Sequence, residues 1–305
     1  MNTTVEVKQQ TEPCFQPFPS PNQIIQGETI MHFDLKTYLA RIGLAHVEPT
    51  IDGLRRLHDA QLRAIPFENI EPFTGVVPAL APESVFRKLV TEKRGGYCFE
   101  LNGLFGNALK ALGFETEPVM GRMRFGAPRG GPSAHLAWIV SLDGEEWLAD
   151  VSFGGSGPRY PVRLVPDLVQ NEGADAFRLV TDIAAGELVL ERLEPQGWFA
   201  LYGFDRYPVV ESDVEAGNFL AATWREKAPF PDNLVLTIRM VEGRASLFNK
   251  AATVIDAAGR PKQWVLGSLT ELQTVLKDLF RLDPDRSMAE MLWSKLEASD
   301  LAKAA

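Results

Sequence analysis

Between Phe33 and about Gly113 apolar residues recur at helical spacing, and after Phe114 they shorten into alternating runs. Asp34 is placed to cap a first helix through LKTYLARIGL, with Leu35, Leu39 and Ile42 on one face and Gly43 near its end. IDGLRRLHDAQLRAI predicts a second helix carrying Ile51, Leu54, Leu57 and Ile65, which Pro66 stops. SVFRKLVTEK predicts a third. A fourth starts at or near Cys98, with Leu101, Leu104, Phe105, Ala108, Leu109 and Leu112 as a broad apolar face and Gly113 as C-terminal cap. PVMGRMRF, HLAWIVSL, EEWLADVSF, YPVRLV, AFRLVTD, ELVLERL and WFALYGF then read as short strands divided by Gly, Pro and Asp. From about Ser212 the chain offers the strands NLVLTIRMV and RASLFNKAATVID, then the helices LTELQTVLKDLF and SMAEMLWSKLEASDLA. Helices first, strands next and a mixed segment last predict an α+β chain of segregated units, not a doubly wound parallel sheet. The boundaries fall at an extension over 1–30, a helical bundle over 31–115, a β-rich unit over 116–211 and an α/β unit over 212–305.

Composition narrows the class. With 305 residues, 45% of them apolar and 23% charged, the chain reads as a globular protein that buries a core without disulfides. A net charge of −9 opposes binding to nucleic acid or to an anionic membrane. Two cysteines, Cys14 and Cys98, are no disulfide framework, and no apolar run reaches the roughly 18 residues of a membrane span. The first 30 residues lack the apolar core of a signal peptide and, rich in Gln, Thr and Pro, read as a mobile extension with Cys14 a bystander. A reducing, cytoplasmic setting is the expectation.

Candidate chemistry centres on Arg94-Gly95-Gly96-Tyr97-Cys98-Phe99-Glu100-Leu101-Asn102. Two glycines let the backbone turn tightly before the fourth helix, and Cys98 falls at its N-terminus, where free N–H groups and the macrodipole favour an anion. A thiolate is the reactive form of cysteine. Such a nucleophile needs a base. Of the four histidines, His32 borders the extension, His46 lies between helices and His58 reads as a packed or solvated helix residue. His135 opens the strand HLAWIVSL directly after the loop GAPRGGPSA. Asp143-Gly144 is a hairpin signal, and pairing about it sets Leu142 opposite Glu145, Ala137 opposite Asp150 and His135 opposite Ser152. His135 and Asp150 then become diagonal neighbours on one face of the hairpin. An aspartate within WLADVSF needs a partner, and an imidazole supplies one. The residues alone leave a Cys-His-Asp hydrolase and a non-catalytic binding protein as rivals.

RGGYCFELN, AHLAWIV and WLADVSFGG, in that order, resemble the arylamine N-acetyltransferases, with support from YLARIGL, LHDAQLRAIPFENI and LTELQTVLKDLF. The resemblance covers about Phe33 to Asp283. It implies a papain-like Cys-His-Asp core in a helical bundle, a β-barrel and an α/β lid. It also implies a ping-pong reaction in which Cys98 takes an acetyl group from acetyl-CoA and passes it to an arylamine, arylhydrazine or hydrazide. His135 would move the protons and Asp150 would orient it. By position, Phe125 and Phe204 would flank the substrate site; Gly126, Gly130, Gly131 and Thr223 would approach the CoA, and no metal is implied. A relative's variant of this chemistry, an amide synthase fed by a carrier thioester, is a further alternative. The chain departs from the family at Ser152, where glycine is usual, and at Gln61, where a histidine is common. NFLAATWREKAPFPDN also lacks the usual Asn-Trp and His-Pro-x-Ser features, keeping Asn218 and Thr223.

Overall fold

A computed structural model of the chain describes residues 33–304; the extension, Cys14 and His32 lie outside them. Helix α1 (Leu35–Arg41) starts at Asp34, whose carboxylate accepts the Thr37 N–H at 3.0 Å. α2 (Ile51–Ala64) starts at Thr50, whose hydroxyl accepts the Gly53 N–H at 3.1 Å, and buries Leu54 and Leu57. Ile65 is already extended, as a residue before proline must be. Two elements without a periodic signal follow: β1 (Phe67–Glu68) and α3 (Ile70–Thr74). The third expected helix is α4 (Pro82–Phe86), continued through 87–91 by a π-helical turn. α5 (Cys98–Ala111) begins at the cysteine and ends before Gly113, whose φ of +84° suits its place as a helix stop.

The middle of the chain is antiparallel: β2 (Glu115–Met123), β3 (Ser133–Leu142), β4 (Glu145–Ala149), β5 (Val162–Arg163), β6 (Gln170–Glu172), β7 (Asp175–Asp182), β8 (Glu187–Glu194) and β9 (Gly197–Phe204). They form an eight-stranded sheet in the order β5-β4-β3-β2-β9-β8-β7-β6. Its two edges approach each other where Pro166 bridges to Leu179. The Gln170 side chain accepts the Arg163 N–H at 2.8 Å and donates to the Arg163 carbonyl at 3.1 Å. The sheet is therefore a nearly closed barrel, filled by Val119, Ile139, Leu148, Phe177, Leu190 and Tyr202.

Next come α6 (Glu211–Thr223), β10 (Val235–Arg239), β11 (Arg244–Phe248), β12 (Ala251–Ile255), β13 (Pro261–Val265), α7 (Leu269–Asp278) and α8 (Arg286–Ala304). RASLFNKAATVID, read from sequence as one strand, is a hairpin that turns at Asn249, whose φ is +54°. β10 also pairs with β1, so the helical segment supplies an edge to the five-stranded C-terminal sheet. Leu236, Leu247 and Ala252 of that sheet pack with Leu272 and Leu276 of α7 and with Leu292 of α8. α6 went unpredicted because its buried positions include Gly217, Asn218, Ala221 and Ala222, a stripe too small and polar to show as hydrophobic periodicity.

α5 meets β3 at Gly106, where an added Cβ would lie 2.0 Å from the Trp138 ring. Trp138 cannot retreat freely, because its Nε1 donates to the Asn102 carbonyl at 2.7 Å. Gly106→Ala is expected to destabilise the fold by about 1–3 kcal/mol, read as a lower denaturation midpoint.

Candidate active site

The β3–β4 turn places Asp143 and Gly144 at φ of +52° and +78°, the left-handed pair of a tight hairpin turn. Leu142 pairs with Glu145, and the register runs unbroken to Trp138 opposite Ala149. One step further, His135 Nε2 meets Asp150 Oδ2 at 2.7 Å, the diagonal contact expected from the turn. On its other side His135 pairs with Gly121, and the register then shifts so that Arg122 faces Ser133. Ala134 is thus the extra residue of a bulge beside the site.

Cys98 is the first residue of α5. Glu100 fixes that terminus: its Oε2 accepts the Tyr97 N–H at 3.2 Å while Lys88 holds its other oxygen at 2.7 Å. Gly95 and Gly96 do not turn through left-handed backbone. The Pro66–Glu68 segment passes against Gly95, where a Cβ would lie only 2.5 Å from the Pro66 carbonyl, and a Cβ on Gly96 would lie 3.0 Å from the Glu100 carboxylate. The Cys98 Sγ points toward the Ala134 carbonyl at 3.9 Å, on the bulge next to His135. With Nε2 committed to Asp150, Nδ1 is the ring nitrogen left for the thiol.

Cys98, Asn102 and Gly106 repeat at the four-residue spacing that puts them on one face of α5. Asn102 joins that face to the hairpin. Its Nδ2 donates to Asp150 Oδ1 at 2.9 Å and Ser152 Oγ at 2.6 Å, and its Oδ1 accepts the Val151 N–H at 3.1 Å. Asp150 Oδ1 also accepts the Ser152 N–H at 2.9 Å and hydroxyl at 3.1 Å. Ser152 therefore adds a hydroxyl donor that a glycine would lack. Asp150 is almost wholly buried, yet both of its oxygens are satisfied.

Burial alone would depress His135 and raise Asp150, but their mutual attraction and hydrogen bond outweigh it. His135 is pushed up to about 10, with the neighbouring Cys98 adding to the rise. Asp150 is held well below the usual carboxylate range by His135, then by Asn102 and the Ser152 N–H. The stabilisation from His135 is complete below its ordinary value of 6.5 and is lost as pH rises through about 10. That from Asp150 is present above 3.8 and lost as pH falls through its depressed value. Wild-type protein is expected to lose more thermal stability between about pH 7 and about pH 10 than His135→Gln does, as melting curves at the two pH values would show.

A cavity of about 330 Å³ opens on Cys98, His135 and Ser152. Its walls are largely apolar and include Phe67, Phe153 and Phe230, with the Phe67 and Phe230 ring centroids 5.7 Å apart. No Asp or Glu lines it among the described residues; the exposed Lys227 does. Phe125 lines it from beyond the end of β2, 60% exposed, at a left-handed φ of +47°. Phe204 does not line it. It is 1% exposed in the barrel core, on the same face of β9 as Tyr202, and the aromatic wall comes from Phe153. Tyr202, part of the barrel core, has its ring centroid 4.9 Å from that of His135. Of the loop glycines, Gly131 lines the cavity; Gly126 and Gly130 do not. Thr223 is also absent from the lining. It is exposed, and its hydroxyl donates to Phe219 within α6. The divergent segment nevertheless forms one wall, through Leu220, Ala221 and residues 227–230. Asn218 anchors it, accepting from the Tyr97 hydroxyl and donating to the Pro78 carbonyl at 3.0 Å.

Sequence reasoning missed the roles in this geometry of Asn102, Phe153 and His58. Asn102 had a signal in its spacing from Cys98. His58 is buried, and its Nε2 accepts the Asp150 N–H at 3.1 Å, a contact across 92 residues that no local pattern encodes. Among the described residues no group of three or more His, Cys, Asp or Glu could hold a metal ion, and no helix is long and apolar enough to cross a membrane.

Residues 50–289 match the N-acetyltransferase family profile. Over 256 residues the chain is 35% identical to the arylamine N-acetyltransferase of Escherichia coli (strain K12), covering 82% of this chain and 89% of that protein. It is similar in structure to the arylamine N-acetyltransferase of Salmonella typhimurium, with a TM-score of 0.81, 30% identity and coverage of 88% and 99%. The Mycobacterium marinum arylamine N-acetyltransferase solved in complex with CoA matches with a TM-score of 0.80 at 31% identity, covering 86% and 99%. The papain-like order of helices, barrel and C-terminal sheet with helices, and these relatives, lead to one conclusion: the chain belongs to the arylamine N-acetyltransferase family of acyltransferases.

Proposed function

We propose that the protein transfers an acetyl group from acetyl-CoA to arylamines, arylhydrazines or hydrazides by a ping-pong route through an acetyl-Cys98 thioester. The observation that carries this reading is the His135–Asp150 pair at 2.7 Å beside Cys98, at the floor of an apolar cavity. Cys98 is the nucleophile, His135 the acid and base, and Asp150 the orienting group. The Cys98 thiolate attacks the acetyl carbonyl, the C–S bond to CoA breaks, and His135 gives its proton to the departing CoA thiolate. The acceptor nitrogen then attacks the acetyl-Cys98 carbonyl, its proton goes to the now neutral His135, and the Cys98 thiolate leaves. Backbone N–H groups at the start of α5 face the carbonyl oxygen in both steps.

The cavity favours this class of acceptor. Its lining offers no carboxylate to hold an alkylammonium ion, whereas a weakly basic aromatic amine or hydrazide enters uncharged and packs on Phe125, Phe153 and Phe230. Gly131, which lines the cavity, is the loop glycine that would approach the acyl donor. A reducing compartment would keep the Cys98 thiol available for this role, and the cytoplasm is the setting we propose. The test is rapid mixing with acetyl-CoA in the absence of acceptor. One equivalent of CoA per protein should appear in a burst, followed by steady turnover only when an arylamine or hydrazide is added. CoA release that needs the acceptor from the start would contradict the two-step route, and continuous release without acceptor would make the protein a hydrolase.

A further inference from the structure

His58 lies on α2, outside the cavity, yet it is bound at both ring nitrogens. Nδ1 is 2.8 Å from the Arg159 carbonyl, which can only accept, so Nδ1 carries the proton. Nε2 accepts the Asp150 backbone N–H at 3.1 Å, so Nε2 is bare. The ring is fully buried and packs edge-on against Phe105 of α5 at 5.7 Å. A neutral imidazole in one tautomer is therefore built between α2, the loop carrying Arg159 and the residue whose carboxylate meets His135.

We infer that His58 is a positioning residue of the active site: its neutral ring holds the Asp150 amide, and with it the carboxylate, in register with His135, and protonation of His58 releases that hold. The inference rests on the reading of Asp150 as the group that orients His135. A proton on Nε2 would set N–H against N–H and push the Asp150 backbone away. The charged groups around the ring are Asp150 on the hairpin, Asp59 on α2 itself, Arg239 on β10 and Arg159, whose guanidinium binds Asp59 at 2.6 Å. Burial is the dominant influence and lowers His58 to about 4, with the Arg159 carbonyl and the two aspartates opposing it. The acid form is thus reached only well below neutrality, and the fold loses stability as pH falls from 6.5 through about 4.

The test reads Cys98 with iodoacetamide, by mass analysis of the Cys98 peptide, because alkylation needs no acyl donor. His58→Phe keeps the ring and removes the acceptor; His58→Gln restores an acceptor that does not titrate. Alkylation in His58→Phe is expected to slow by about 10-fold or more, and His58→Gln to stay within about 3-fold of wild type. In wild type the rate falls more steeply as pH drops toward about 4 than it does in His58→Gln, where only the loss of thiolate remains to slow it. Imidazole nitrogen shifts of the unaltered protein should show the Nδ1–H tautomer persisting to about pH 5, a readout that stands even where His58→Phe fails to fold. Wild-type rates in a folded His58→Phe, equal losses in both variants, or titration of His58 near its ordinary value without loss of Cys98 reactivity would overturn the inference. Rapid, His58-dependent alkylation without any acetylation by acetyl-CoA would leave the inference standing and the proposed acyl donor wrong.

Discussion

Cys98→Ser should give a folded protein that transfers acetyl groups roughly 10³-fold more slowly, or worse. Serine is close in size to the buried cysteine and keeps a polar atom beside His135, so stability changes little. Chemistry suffers because a hydroxyl does not ionise beside an imidazolium, and because an ester formed there would resist a weakly basic amine. His135, pushed up to about 10, is the complementary half of this argument: it favours a thiolate beside it and is poorly suited to deprotonate an alcohol. Turnover measured alongside a melting curve separates the two effects. Retained activity within about 10-fold of wild type would move the nucleophile away from Cys98.

Asp150→Asn should lower turnover by on the order of 10³–10⁴-fold while leaving acceptor KM little changed. The amide removes the countercharge that lifts His135, so burial, which depresses a histidine, is left to decide its protonation. It also sets an NH₂ group among donors, since Asn102, the Ser152 N–H and His135 all donate to this carboxylate. The ring then loses both its tautomer and its orientation. Near-normal turnover, or a His135 that still titrates near 10, would show that another group orients it.

The part of the site that sequence made legible is the part fixed by local geometry. A two-residue turn at Asp143-Gly144 sets the hairpin register, and register alone makes His135 and Asp150 neighbours. Cys98 at a helix start follows from the glycines before it and the apolar face after it. The meeting of the two was carried by the family resemblance, because it depends on Asn102 and Gly106, whose small or polar side chains sit at the α5–β3 contact and carry no hydrophobic signal. The same reason hid α6, which packs through small residues, and β1, whose two residues join a sheet formed from the far end of the chain. Phe204 was assigned to the substrate site by the resemblance alone; it lies 1% exposed in the barrel core, and the cavity is lined by Phe125 and Phe153.

The most direct test of the account is the intact mass of the protein after brief exposure to acetyl-CoA alone. The account predicts one added acetyl group, absent in Cys98→Ala and discharged when an arylamine or hydrazide is supplied. A folded protein that gains no acetyl group, or one that gains it equally in Cys98→Ala, would contradict it.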